Sequence, residues 1–141
     1  MSDFSIFMAG NAEKTETVKY VASKRFAIDG VPVEWEIKAI DSDLDEAIRK
    51  ECTKRVPIAG KRGQFSQETD TDKYIGKMCV ACTVYPDLNN AELQESYGVM
   101  GADALLKKML RPGEYTDYKA KVMEVNGYDM SMEELVDDAK N

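Results

Sequence analysis

VKYVASKRFAIDGVPVEWEIKAI, residues 18–40, is the stretch whose reading decides the fold class. Asp29-Gly30 at its centre is a two-residue hairpin signal, because both positions of a tight primed turn need a positive φ that Asp and Gly tolerate. On its C-terminal side Val31, Val33, Trp35, Ile37 and Ala39 alternate with Pro32, Glu34, Glu36, Lys38 and Ile40. At period two this puts apolar groups on one face and mostly polar groups on the other, as in a half-buried strand. Pro32 cannot donate to a ladder and belongs at a strand start or edge. The first arm, with Val18, Tyr20, Ala22, Lys24 and Phe26, alternates less cleanly. The stretch predicts an antiparallel β-hairpin over residues 18–40.

Beyond it the period changes to that of helices. Ser42 is placed to cap a segment running to about Lys54, with Asp43 and Asp45 near the positive end of its dipole. Residues 56–69 hold Pro57, Gly60 and Gly63 among polar neighbours and read as a long loop. From Asp70 or Thr71 to about Tyr85, the residues Tyr74, Ile75, Met78, Cys79, Ala81 and Cys82 recur at helical spacing until Pro86. Asn89 or Asn90 opens a short helix to Tyr97, and Gly98 supplies a left-handed stop. Ala102–Leu110 and Glu114–Asn126 are helical by pattern, separated by Pro112 and Gly113. Ser131 with Glu134 forms a capping box for a last helix to about Lys140. The expectation is an α+β fold: an N-terminal antiparallel β-hairpin (18–40), then a helical region (41–141) of about six short helices. Residues 1–17, whose apolar content is Phe4, Ile6, Phe7 and Met8, read as a flexible arm on this one compact domain, in which the run Phe4 to Met8 could still dock as a short helix or strand on this fold or on a partner.

The chain has 141 residues and a net charge of −7 at neutral pH. That balance favours solubility and opposes attraction to nucleic acid or an anionic membrane. No uncharged run approaches the roughly 20 apolar residues of a membrane helix, and the N-terminus lacks the pattern of a signal peptide, so a cytoplasmic location is expected.

Histidine is absent, which removes the usual general base near neutral pH and the commonest metal ligand. Cys79 and Cys82 form a single CxxC well inside a helix, with no second pair and with Cys52 distant in sequence; core packing is the simplest role, since redox chemistry would want the pair at a helix N-terminus, where the dipole stabilises thiolate. Gly60-Lys61-Arg62-Gly63 lacks the spacing of a phosphate loop. The acidic clusters at residues 41–46 and 70–72 suit helix starts and lack the spacing of a calcium loop. No catalytic residue, cofactor or metal is expected.

What remains is surface contact. Arg49, Lys50, Lys54, Arg55, Lys61 and Arg62 face only Glu51 within residues 49–62, a basic stretch in an acidic chain that could steer an acidic partner. The eight methionines suit adaptable apolar surfaces, and Met100, Met109, Met123 and Met130 could line a groove for an amphipathic helix. The candidate partner-binding residues are Tyr97, Met100, Leu106, Met109 and Leu110 from the crowded apolar stretch, with Arg55, Lys61 and Arg62 from the basic one.

Six segments occur in an order that resembles one family. They are Ser-Lys-Arg-Phe (23–26), Val-x-Trp-x-Ile (33–37), Cys-Thr-Lys-Arg (52–55), Pro-Asp-Leu-Asn-Asn-Ala-Glu-Leu-Gln (86–94), Ser-Tyr-Gly-Val-Met-Gly-Ala (96–102) and Leu-Leu-Lys-Lys-Met-Leu-x-Pro-Gly-Glu-Tyr (105–115). The order is similar to that of the XkdN-like tail assembly chaperones of phages and defective prophages, over Val18 to Lys140. The resemblance implies a non-enzymatic assembly factor, typically of a contractile tail, that binds the tape measure protein and helps tail tube protein polymerise around it. It also implies a carrier that is absent from the mature virion and is often accompanied by a longer, frameshifted form of itself. Self-association is compatible with it. The alternatives are a structural component retained in the tail or baseplate, and a thiol redox or metal protein using Cys79 and Cys82.

Overall fold

The computed structural model describes residues 3–13 and 16–128. A 3-10 helix, Asp3–Phe7, precedes strands β1 (Val18–Tyr20), β2 (Ala27–Ile28), β3 (Val31–Pro32) and β4 (Trp35–Ile37). Helix α1 (Ser42–Glu51), strands β5 (Thr53–Pro57) and β6 (Phe65–Thr69), helix α2 (Thr71–Cys82) and strand β7 (Thr83–Tyr85) follow. Helices α3 (Ala91–Ser96), α4 (Ala102–Met109) and α5 (Pro112–Val125) complete the described part.

The expected α+β class holds, with antiparallel strands and five α-helices among the described residues. The hairpin is present but interrupted. Asp29 and Gly30, at φ 51° and 81°, make the expected turn between β2 and β3. The outer pairing of Val18 with Ile37 and Tyr20 with Trp35 then leaves six residues, Val21 to Phe26, opposite only Val33 and Glu34. The excursion is anchored by tertiary contacts: Ser23 is buried, and the Arg25 guanidinium donates to the Met109 carbonyl at the end of α4.

Residues 41–141 are not wholly helical. The expected loop at 56–69 contains most of a second hairpin, β5–β6, running from Thr53 paired with Thr69 to Pro57 paired with Phe65. Nearly every residue of it is exposed, so no apolar alternation announces it; backbone pairing and cross-strand side-chain contacts hold it instead. The helix expected to reach Tyr85 ends at Cys82, because Thr83–Tyr85 pairs with β4 to complete a three-stranded sheet, β1-β4-β7. The long-range ladder outweighs a helical spacing that would otherwise continue.

Helix starts lie close to their expected places. Asp41, one residue before Ser42, caps α1 by accepting from Leu44 N at 2.8 Å. Asp70 caps α2 and Asn90 caps α3 in the same way. Pro112 begins α5 as well as ending α4, since a missing N–H costs nothing in a first helical turn. The helix expected from Ser131 lies outside the described residues.

One core joins the sheet to the helices. Trp35 and Ile37 are buried with Met78, Cys79 and Cys82 of α2, Leu105, Leu106, Met109 and Leu110 at α4, and Tyr118 and Val122 of α5. The Trp35 and Tyr118 rings meet edge-on, with centroids 5.3 Å apart. Asn126 closes the structure behind α5: its side chain accepts from Ile40 N at 2.9 Å and donates to the Val122 carbonyl at 2.8 Å.

Candidate partner-binding surface

The candidate residues divide sharply. Leu106 is fully enclosed, and Met109 and Leu110 are buried beside it. These three are core side chains, which corrects their assignment to a surface: α4 turns its apolar stripe toward α2 and α5. Tyr97 is half-buried against the same cluster. Met100 alone of the apolar group projects outward, at 93% exposure, between Gly98 and Gly101. Both glycines adopt positive φ, at 68° and 104°. The methionine groove does not form among the described residues: Met109 is buried, Met123 packs against the core, and Met130 lies outside them.

Arg55, Lys61 and Arg62 are exposed on the β5–β6 hairpin. The Arg55 guanidinium lies over the Phe65 ring, 4.5 Å from its centroid, while Lys61 and Arg62 occupy the turn. Backbone bonds from Ile58 N to the Gln64 carbonyl and from Gln64 N to the Lys61 carbonyl shape that turn. Lys54 stands opposite Glu68 in the ladder, and Lys77 of α2 holds Glu51 at 3.0 Å. Carboxylates thus offset the base of the hairpin, whereas its tip carries positive charge alone.

A surface missed at the level of individual candidates is the N-terminal 3-10 helix. Phe4, Ile6, Phe7 and Met8 are each between 63% and 76% exposed, a cluster of large apolar side chains facing solvent. Ile28 and Val31 at the β2–β3 turn, and Val84 and Tyr85 on edge strand β7, are exposed as well. The concentration of apolar residues in 4–8 is the signal in the sequence, compatible with docking on this fold or on a partner.

The thiols are poor redox groups. Cys52, Cys79 and Cys82 are all free and buried. Burial pushes the Cys79 thiol up from its ordinary 9.0 to about 12, with Cys82 beside it adding to the rise. Burial also raises Cys82, partly offset by a hydrogen bond that Asn126 Nδ2 donates to its sulfur at 3.3 Å. Above pH 9 an unfolded chain releases these protons while the folded chain keeps them, so the folded state binds more protons and its stability falls as pH rises. The expected slope is about 1.4 kcal/mol per pH unit for each retained proton. Urea midpoints measured between pH 7.5 and about 10, before most tyrosines titrate, should be flat below 9 and fall above it. Cys79→Ala should make the fall shallower.

No group of three or more His, Cys, Asp or Glu among the described residues is arranged to hold a metal ion. No helix among them is long and apolar enough to cross a membrane. Polar residues of two of the family-like segments serve the scaffold. Glu114 accepts from Arg111 N at 2.8 Å and caps α5. The Gln94 amide donates to the Leu88 carbonyl at 2.9 Å and its oxygen accepts from Gly101 N at 3.0 Å, fixing α3 to the start of α4.

An α+β scaffold with its polar motif residues spent on caps and turns, and with apolar and basic groups turned outward, suits a protein that acts by contact. The family profile of the phage XkdN-like tail assembly chaperone proteins matches residues 4–140, and the chain belongs to that family. Among its relatives, YqbN of Bacillus subtilis (strain 168) is 34% identical over 99% of this chain and 93% of its own length. XkdN of the phage-like element PBSX from the same organism is 30% identical over 99% of this chain and 94% of its own. The crystal structure of YqbN superposes with a TM-score of 0.75 at 30% identity, covering 92% of this chain and 99% of that one.

Proposed function

We propose that the chain is a non-enzymatic carrier that binds the tape measure protein in the host bacterial cytoplasm and assists assembly of the tail tube around it, typically for a contractile tail. It leaves before the virion is mature. The observation that carries this reading is the end-to-end match to the tail assembly chaperones, which begins at Phe4 and so includes the exposed apolar 3-10 helix. A tape measure protein presents long apolar stripes until the tube encloses it, and apolar side chains on a soluble acidic body can cover those stripes reversibly. Many copies along one extended partner would gain by avidity. Contacts with the tail tube protein and with a longer, frameshifted form of the chain fit the same scheme.

The test is co-expression with the protein encoded immediately downstream, where the family resemblance places the tape measure gene. That protein should move from the pellet to the soluble fraction and co-purify with the chain; a downstream product equally soluble alone and never co-purifying would refute the carrier role. Mass spectrometry of purified particles addresses the rival, since a retained tail or baseplate component would be present stoichiometrically. Burial of both CxxC thiols counts against the redox and metal reading.

A further inference from the structure

Three arginines among the described residues lie on aromatic rings, and two of them also meet a carboxylate. Arg25 stands 5.5 Å from the Phe26 ring centroid, with Glu114 3.9 Å from its guanidinium. Arg49 stands 4.4 Å from the Tyr74 ring centroid, with Asp45 3.7 Å from its guanidinium. Arg55 repeats the first half of this arrangement, 4.5 Å from the centroid of Phe65. The second half is missing: the ion pairs of the described residues join Arg25, Arg49, Lys77 and Lys121 to carboxylates, and Arg55 is not among them. A ring beneath a guanidinium fixes its plane and strips water from one side. The N–H groups at its edge stay free to grip a carboxylate with two parallel bonds. Arg55 is thus a prepared carboxylate site that holds none of the described acids.

The ladder shows which side of the hairpin is open. Arg55 and Pro57 of β5 share a face with Phe65 and Gln67 of β6, whereas Lys54 and Glu68 stand opposite each other on the reverse face. The reverse face offsets its own charge, and the Arg55 face does not. Phe65 remains 49% exposed with the guanidinium on it, and Lys61 and Arg62 lie in the turn beyond the Pro57–Phe65 pair. A two-stranded hairpin exposed on both sides adds little stability of its own, so the fold gains little from an arginine stacked there.

We propose that the Arg55 face of the β5–β6 hairpin docks an acidic, extended segment of a partner protein. One carboxylate sits on the edge of Arg55, an apolar side chain lies on Phe65 and Pro57, and a second carboxylate points toward Lys61 and Arg62. In an extended chain, side chains two positions apart share a face at a spacing of about 7 Å, as Arg55 and Pro57 do. The matching pattern is therefore acid, apolar and acid at alternate positions. Nucleic acid offers anions too, but a net charge of −7 opposes a polyanion. The inference goes beyond the carrier reading and holds or fails without it.

The test titrates the isotope-labelled full chain with the end-capped peptide Glu-Ser-Phe-Ser-Glu in about 20 mM salt, where screening is weak. Signals of residues 53–69, the Arg55 side-chain N–H included, should shift; the peptide Gln-Ser-Phe-Ser-Gln should leave them in place. Arg55→Lys keeps the charge but loses the planar fork, and should weaken binding about tenfold. Phe65→Ala should weaken it as well. Both side chains are exposed, and unchanged signals outside the hairpin will show that the fold is kept. Absence of hairpin shifts, equal shifts with the neutral peptide, or undiminished binding by Arg55→Lys would each overturn the proposal. Tighter binding of a short single-stranded oligothymidylate at the same residues would assign the face to nucleic acid and overturn it too.

Discussion

Leu106→Asp is expected to abolish the folded state. The side chain is wholly enclosed within the cluster formed by α2, α4 and α5, with Leu105, Met109, Tyr118 and Val122 in the same core. Shortening such a residue to Ala costs about 2–5 kcal/mol. Asp adds the cost of placing a carboxylate where no donor is available, and the total rivals the whole stability of a domain, about 5–15 kcal/mol. Near-ultraviolet circular dichroism should lose its structured signal, and Trp35 emission should shift toward that of a solvated indole. Leu106→Met, which keeps the volume, should cost less than about 1.5 kcal/mol and separate shape from polarity. A cooperative native transition in the Asp variant would show that α4 does not pack as described.

The double change Ile6→Ser with Phe7→Ser should do the opposite: leave the fold and remove the partner. Both side chains are exposed on the 3-10 helix, so the unfolding free energy obtained from urea titration should move by no more than about 0.5 kcal/mol. If the pair is covered in the complex, burial of each is worth about 1.5 kcal/mol, and binding should weaken about 100-fold. The soluble yield of the co-expressed downstream protein should collapse while that of the chain is unchanged. Undiminished co-solubilisation would move the contact to another exposed apolar group, with Met100 the next to change.

Alternation from Val31 to Ala39 was enough to place Trp35 and Ile37 inward, because one face of that strand meets the core and the other does not. The excursion through Ser23 and Arg25 was not legible, since it depends on a hydrogen bond to a carbonyl 84 residues further on. Strands β5 and β6 were hidden because their side chains are exposed on both faces, and a strand without a buried face carries no period-two signal. Strand β7 was hidden for the reverse reason: its residues continue an apolar helical spacing until pairing with β4 draws them away. The basic tip could be read as charge. Leu106, Met109 and Leu110 could not be sorted into core or surface, because an amphipathic helix has the same pattern whether its stripe meets its own domain or another protein.

The placement of Trp35 has a consequence for how the molecule is made. Its ring is covered by Tyr118, 83 positions later, and the strand that carries it gains its second neighbour only at Thr83–Tyr85. A ribosome that has produced the first half of this chain has therefore produced a strand whose apolar face has nothing to rest on. The core closes only after α5 has emerged, so the chain passes through most of its synthesis with the apolar face of β4 uncovered.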